Sequence, residues 1–332
     1  MRRLSKAQLG RVVGLTWVAL VVGAVVWIVA RGSSELLKQS IRLKIPLVVL
    51  SFLVVNCGLV ITVAVWHHIL ECHGIQASFR NDWRAYVYSA LAVALPGGIW
   101  RIVGRVASYQ RSGLDSLRVT TASLVEALVT GIAAMIVYAI SVVARPDISL
   151  WKRPEISFAF LILAALLLHP RIFRRASAWI LKRSKGTGES AVIDIGAREL
   201  AGWIGLEALV VLIGGIALFI LLNSLTVVPG DVLIRLIAGW SAAVAVGNLF
   251  FWLPGTFMLS DGALILALAS SVSVPVAVLF TVLVRVWSLG SLLLVAGLSW
   301  LLFDFPDQGM ASRDIMSRFL RKLASSIKIR RV

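Results

Sequence analysis

The sequence predicts an all-α protein, a polytopic bundle of transmembrane helices with two re-entrant helical hairpins set in a pseudo-symmetric inverted repeat. Composition is the first observation behind this. The 332 residues are 59% hydrophobic and only 15% charged, with a mean hydropathy of +0.92. A soluble domain runs at about 45–50% apolar and about 25% charged. The second observation is that the apolar residues gather into long runs, two of which carry a Pro-Gly step at their centre. The third is where the charge lies. The 33 Lys and Arg against 16 Asp and Glu give a net charge of +17, and most of the surplus falls between the apolar runs. In a soluble chain such an excess points to nucleic acid; here it reads as topology, and no nucleic-acid partner is expected.

A span needs about 20 apolar residues, because the hydrocarbon core is about 30 Å thick and a helix rises about 1.5 Å per residue. Val12–Ala30, preceded by Arg2, Arg3, Lys6 and Arg11, is too long for a signal peptide and reads as a signal anchor. Ile45–Leu70, Ser123–Ala144 and Leu200–Asn223 are clear spans. Ile156–His169 is shorter and exits at Arg171, and Pro275–Phe303 is the last and longest. These are the six expected full spans.

The remaining two runs are broken. Tyr86–Val106 contains Leu95-Pro96-Gly97-Gly98, and Leu233–Ser270 contains Leu253-Pro254-Gly255. Proline removes a backbone donor, and non-helical backbone at membrane depth is tolerated only where protein buries it or a cavity takes it. Pro96, Gly97, Gly98, Pro254 and Gly255 are therefore expected to line a cavity at the tips of two re-entrant hairpins. Both termini and the loop 171–185 are basic, which places them on the cytoplasmic side of the cell (plasma or inner) membrane. With six spans the hairpins then approach from opposite sides. Aligning Pro96-Gly97 on Pro254-Gly255 gives an offset of 158 residues and brings the span holding Glu126 onto that holding Arg285. Inverted repeats of this kind build a substrate site where discontinuous helices meet. Residues 1–312 form one transmembrane domain, with repeat halves at roughly 45–170 and 200–303. Residues 313–332 form a basic amphipathic tail, with Ile315, Phe319, Leu320, Leu323 and Ile327 amid Arg318, Arg321, Lys322 and Lys328. A helix of that pattern lies on an anionic membrane surface, as does Ile172–Arg183.

Charges within apolar segments are expensive, so each is a site candidate. Arg285 lies deep in its helix, with Asp261 or Glu207 as the expected partner. Glu126 lies close to the start of its span. Arg101 and Arg105 are spaced i,i+4 on one helical face, and with Arg111 and Arg118 form a cationic approach. A guanidinium fork suits phosphate because it binds two oxygens at once. The expected site is thus an anionic headgroup held by Arg285 with Arg101 or Arg105, while Asp261 and Glu126 pair with those arginines between states. His67, His68, Glu71, Cys72 and His73 sit where the second span exits and read as an interfacial polar cap rather than a metal site. With no nucleophile triad, phosphate-cradling loop or clustered carboxylate pair, an enzyme is not expected, and no cofactor or metal is implied. Cys57 and Cys72 are too few for a disulfide framework.

The segment Pro254-Gly255-Thr256-Phe257-Met258-Leu259-Ser260-Asp261 resembles the Pro-Gly-Gly-Leu-Gly-Val-Arg-Glu segment of the lysylphosphatidylglycerol synthase transmembrane, or flippase-like, family. Leu283-Val284-Arg285-Val286-Trp287 is similar to that family's Tyr-Arg motif. Leu95-Pro96-Gly97-Gly98-Ile99-Trp100 with Gly104-Arg105 resembles its first-half motif, and Glu126 stands where a Glu-Arg pair is common. Thr256 and Met258 replace glycines, Ser260 replaces the arginine, Asp261 shortens the glutamate, and Ala127 replaces the arginine after Glu126. The resemblance spans roughly residues 12–303. It implies the flippase-like membrane portion of the multiple peptide resistance factor without its synthase domain, in the plasma membrane of a bacterial cell. It further implies binding or translocation of a phospholipid or polyprenyl-phosphate lipid. The alternative it carries is a non-transporting membrane partner of a glycosyltransferase or polyprenyl-lipid pathway.

Overall fold

A computed structural model describes residues 44–94, 98–145, 147, 195–251, 256–269 and 271–304. Among them every regular element is helical. The helices are α1 (Ile45–Cys72), α2 (Phe79–Ala90, continued by a 3-10 turn Leu91–Ala94), α3 (Ile99–Gln110) and α4 (Ser116–Ala144). After them come α5 (Ala197–Leu225), α6 (Val232–Leu249), α7 (Thr256–Leu268) and α8 (Val274–Ser299), the last ending in a π-helical turn, Trp300–Asp304. Five of these, α1, α4, α5, α6 and α8, are long and apolar enough to cross a membrane. The expected spans Val12–Ala30 and Ile156–His169, the stretch Ile172–Arg183 and the basic tail lie outside the described residues, as do Pro96, Gly97, Pro254 and Gly255.

Three boundaries differ from the sequence expectation. The helix expected to begin at Ser123 begins at Ser116, where the Asp115 carboxylate accepts from the Leu117 amide at 2.9 Å. Its polar first turns stay helical because Thr120, Thr121 and Ser123 donate back to the Ser116, Leu117 and Val119 carbonyls. Glu126, expected near the membrane edge, therefore lies ten positions into its helix. The first broken run starts at Phe79 rather than Tyr86, with Ser78 as its N-cap. In the second broken run, the 18-residue α6 extends about 27 Å at 1.5 Å per residue, so it is of spanning length by itself. The helices α3, with 12 residues, and α7, with 13, are too short to cross.

Order and packing repeat along the chain. Each described half runs long helix, arm, arm, long helix, with a break between the arms: α1–α4, then α5–α8. The long helices α1 and α5 lie along one another, α6 packs on α4, and α2 packs on α8. One core gathers Trp66, Ile69, Leu70, Val129, Ile132 and Met135 around Trp203. A second gathers Leu218, Leu221, Leu222, Leu236, Leu268 and Phe280. Helix α5 contributes to both and so joins the halves. The outward faces are greasy: Leu53, Val60, Ile140, Leu266, Val286, Leu293 and Leu298 are exposed. An aqueous surface does not carry so much exposed apolar area, and with the five long apolar helices it marks a membrane-embedded protein.

Lipid tails are as apolar as leucine, so helices in a membrane associate through close packing and polar ties. Both are present. At Gly215 an added Cβ would stand 2.9 Å from the Ile237 backbone Cα, so α5 and α6 touch along their backbones. Asn56 donates to Ser291 Oγ at 3.0 Å, and Trp287 Nε1 donates to Ser51 Oγ at 3.0 Å, tying α1 to α8. At the other end of α8, Trp83 Nε1 donates to Ser299 Oγ at 2.8 Å.

The breaks also meet. Gly98, just before α3, lies so near Phe251, just after α6, that an added Cβ would be 3.0 Å from the Phe251 Cβ and 3.3 Å from its carbonyl oxygen. The two broken runs thus touch at Gly98 and Phe251. Gly98→Val is expected to lower the melting temperature of the detergent-solubilised protein, with an overpacking cost of about 1–3 kcal/mol. Gly98→Ala is expected to lower it less, and a thermal unfolding scan by intrinsic fluorescence measures both.

Candidate functional site

The site is built from the first broken run outward. Helix α3 carries Arg105 inward, where 2% of it is exposed. Its guanidinium forms a two-pronged ion pair with Glu126 of α4, Nη1 to Oε2 and Nη2 to Oε1. Arg105 Nε donates to Ser89 Oγ at 3.3 Å. Against it lie the rings of Trp66, centroid 4.4 Å away, and Tyr86, 4.0 Å away, set edge-on to one another. The Tyr86 hydroxyl donates to Glu126 Oε1 at 2.8 Å. Every polar hydrogen-bonding direction of the pair that matters for burial is thereby filled, which is what makes a buried charge pair tolerable. Four helices, α1 to α4, supply the parts.

Behind this pair opens a cavity of about 170 Å³. Thr62 from α1, Tyr86 from α2, Arg101 from α3, Glu126 and Thr130 from α4, Glu207 from α5, and Trp240 and Asn248 from α6 line it. Its walls are otherwise apolar, with Val55, Val210, Val211 and Val244. Arg101 Nη2 donates to the Asn248 side-chain oxygen at 3.2 Å; among the described residues it has no carboxylate within ion-pair distance. Glu207 is 1% exposed. Its Oε2 accepts from Thr130 Oγ1 at 3.2 Å, and its Oε1 has no hydrogen-bond partner among the described residues. A larger hollow, about 430 Å³, lies between residues 226–229 and 269–273. None of its lining residues is charged, so the chemistry belongs to the smaller cavity.

The second half repeats the ion pair with its signs exchanged. Arg285 of α8 binds Asp261 of α7 in the same two-pronged manner, Nη2 to Oδ1 at 2.8 Å and Nε to Oδ2 at 3.2 Å. The acid stands on the short arm here and the base on the long helix. Yet the positions correspond: Arg105 and Asp261 are six and five residues into their arms, Glu126 and Arg285 ten and eleven into their long helices. Burial differs, since both partners of the second pair are more than a third exposed.

The structure therefore joins Arg101, Glu126 and Glu207 around one cavity, sets Arg105 directly behind Glu126, and places Gly98 at the contact between the two broken runs. Arg285 and Arg105 are each held by the acid expected to pair with it, Asp261 and Glu126. Of the two acids open for Arg285, Asp261 binds it and Glu207 faces the cavity. Arg285 does not line the cavity with Arg101, so the structure does not bring these two together around one headgroup. Within the expected cationic approach, Arg105 is buried in the bundle, whereas Arg118 reaches Asp115 at 3.6 Å on the surface.

One cluster escaped the sequence reading. Asp82, fully buried, accepts from the Tyr109 hydroxyl at 2.6 Å and pairs with His67 Nδ1 at 2.6 Å; Trp66 Nε1 donates to the Tyr109 oxygen at 3.0 Å. His67 also lies 3.6 Å from Glu71. His68 accepts from Trp203 Nε1 at 2.8 Å. The expected polar cap is thus a network locking α1 to α2, α3 and α5. Its signal was a single acid in the amphipathic first turn of α2, too weak to separate from a solvated face. Among the described residues no group of three His, Cys, Asp or Glu side chains is placed to hold a metal ion. The chain matches no protein-family model and no curated protein.

Removing one partner of a buried pair leaves a bare charge, which costs about 3–5 kcal/mol, whereas replacing both by apolar groups can be nearly neutral. Glu126→Leu is expected to destabilise strongly and the double variant Arg105→Met/Glu126→Leu markedly less. Denaturation midpoints of the two in the same detergent check this.

Proposed function

We propose that this protein is a flippase-like membrane lipid transporter that binds the anionic headgroup of a phospholipid or polyprenyl-phosphate lipid in the central cavity, with Arg101 as the anchor. The observation that carries the reading is a guanidinium lining a cavity among apolar helices with only a neutral amide oxygen as partner. A charge in such surroundings is costly, and a bound phosphate or phosphodiester supplies the missing counter-charge through two oxygens at once. About 170 Å³ suits a headgroup and not the acyl chains, which stay against the exposed apolar helix faces.

The repeat supports transport over static binding. Broken runs that touch at Gly98 and Phe251, one from each half, form the kind of centre around which alternating access takes place in inverted-repeat transporters. The half-exposed Asp261–Arg285 pair is then the counterpart, in the second half, of the buried Arg105–Glu126 pair. The motif resemblance around Pro96, Pro254 and Arg285 points the same way. The Lys and Arg bias of the loops supports cytoplasmic termini in the cell membrane, with the basic tail on its anionic inner surface.

The test is Arg101→Ala in the full chain. Native mass spectrometry of the wild type is expected to show a co-purified anionic lipid, and Arg101→Ala to lose it. Arg101→Lys, which keeps the charge but not the fork, should retain it only in part. An unchanged anionic lipid adduct in Arg101→Ala overturns the anchor. Binding without movement of an acyl-labelled phosphatidylglycerol in proteoliposomes favours the non-transporting partner instead.

A further inference from the structure

The cavity contains a group that headgroup binding alone leaves unexplained. Glu207 lies between α1, α4 and α6, nine-tenths and more buried, with one carboxylate oxygen lacking any partner among the described residues. No cation among the described residues stands within ion-pair distance of it. A carboxylate so placed is not stable as a bare charge; it holds either a proton or a cation.

The surrounding groups decide between the two. From α1 it faces Thr62, with His68 further along the same helix and bound to Trp203. From α4 it faces Thr130 and Glu126, and the charge of Glu126 is taken up by Arg105 of α3. Tyr86 of α2 gives its hydroxyl hydrogen to Glu126. Helix α6 contributes Trp240 and Asn248, neither titratable in this range. A metal cation would need several oxygen ligands, whereas Asn248 presents its oxygen to Arg101. Among the described residues the Thr62 and Thr130 hydroxyls stand beside Glu207, and Glu126 is committed to Arg105. These are too few free oxygens for a metal cation's cage, so the mobile positive charge that fits is a proton.

We propose that Glu207 carries a proton that is taken up and released together with the anionic headgroup. An anion arriving at Arg101 adds negative charge to a small, apolar-walled cavity and favours the protonated form of Glu207. By linkage, a proton on Glu207 strengthens binding of the anion by the same factor. The proton enters from the water on one face, forms an O–H bond with the carboxylate, and leaves to the water on the other face. Headgroup and proton cross as an electroneutral pair, which removes most of the cost of carrying a charge through hydrocarbon. Coupling to a headgroup rests on the function proposed above; the proton on Glu207 does not.

Two experiments on the full chain separate these parts. Infrared difference spectra of protein in phosphatidylcholine vesicles, recorded as pH is changed, are expected to show a titrating carboxylic-acid carbonyl band. The band should vanish in Glu207→Gln and persist in Glu199→Gln and in Arg101→Ala. Its absence in the wild type, or its survival in Glu207→Gln, overturns the proton site whatever lipid is bound. In the second experiment a pH difference is imposed across vesicles containing acyl-labelled phosphatidylglycerol. For one proton per lipid, the label should accumulate in the leaflet facing the alkaline side by about tenfold per pH unit. Glu207→Gln should bring this ratio to unity, and Glu207→Asp should restore part of it. Accumulation that persists in Glu207→Gln overturns the coupling. A wild-type protein with the titrating band but no bound or moved lipid leaves the proton site standing and overturns only the headgroup reading.

Discussion

The ion pair between Arg105 and Glu126 is the constraint on which the first half is arranged. Neither side chain can be in an apolar bundle alone, so wherever α3 goes, α4 must present its acid to it. The pair then recruits Tyr86 as a donor and, with Trp66, as an aromatic wall against the guanidinium. Trp66 in turn reaches Tyr109, and Tyr109 reaches Asp82 and through it His67. A single buried charge thus fixes the order of four helices through a continuous chain of polar contacts. It also decides what is left over. Because Glu126 is committed to Arg105, the cavity beside it keeps Arg101 and Glu207 as its uncommitted charges.

The exchange of signs between the halves follows from the same electrostatics. A buried pair is neutral whichever helix carries the acid, so packing constrains its position and not its polarity. On the long helices the register agrees to within one residue, Glu126 lying ten and Arg285 eleven positions from the first residue. What differs is exposure. The first pair is sealed by aromatic rings and the second is open over more than a third of each side chain. The first pair is therefore enclosed while its counterpart is accessible.

Much of this was legible in the sequence because its signals were strong and local. Apolar length gave α1, α5 and α8 to within a few residues, since a span leaves little choice of period. The Pro-Gly steps marked where the arms divide, and the offset between them placed Glu126 and Arg285 in matching helices. The boundaries that failed were those decided by polar side chains bonding to their own backbone. Thr120 and Thr121 fell outside the expected span because a hydropathy sum cannot register a hydroxyl satisfied by the carbonyl one turn back. Pairings were left open for a different reason. Arg285 had Asp261 and Glu207 as equally plausible acids, and only the packing of α7 on α8, against that of α5 on α1 and α6, selects the first. Asp82 was invisible because its partners, His67 and Tyr109, come from two other helices.

The size of the cavity restricts any mechanism that uses it. With about 170 Å³ it has room for a headgroup-sized group but not for an acyl chain, and leucines and valines of α1 and α8 and leucines of α5 are exposed. Under the proposed function, the polar end of the lipid travels through protein while its tails remain in the solvent they already occupy. The free energy of the tails then hardly changes along the path, so the barrier is set by the headgroup charge. Lowering that barrier requires a positive group that is not already neutralised and a second group able to cancel the net charge during passage. Arg105 and Arg285, each bound by a carboxylate, do not meet the first requirement in this arrangement. Arg101, held only by the neutral oxygen of Asn248, meets it, and Glu207, facing the same cavity with a vacant oxygen, meets the second.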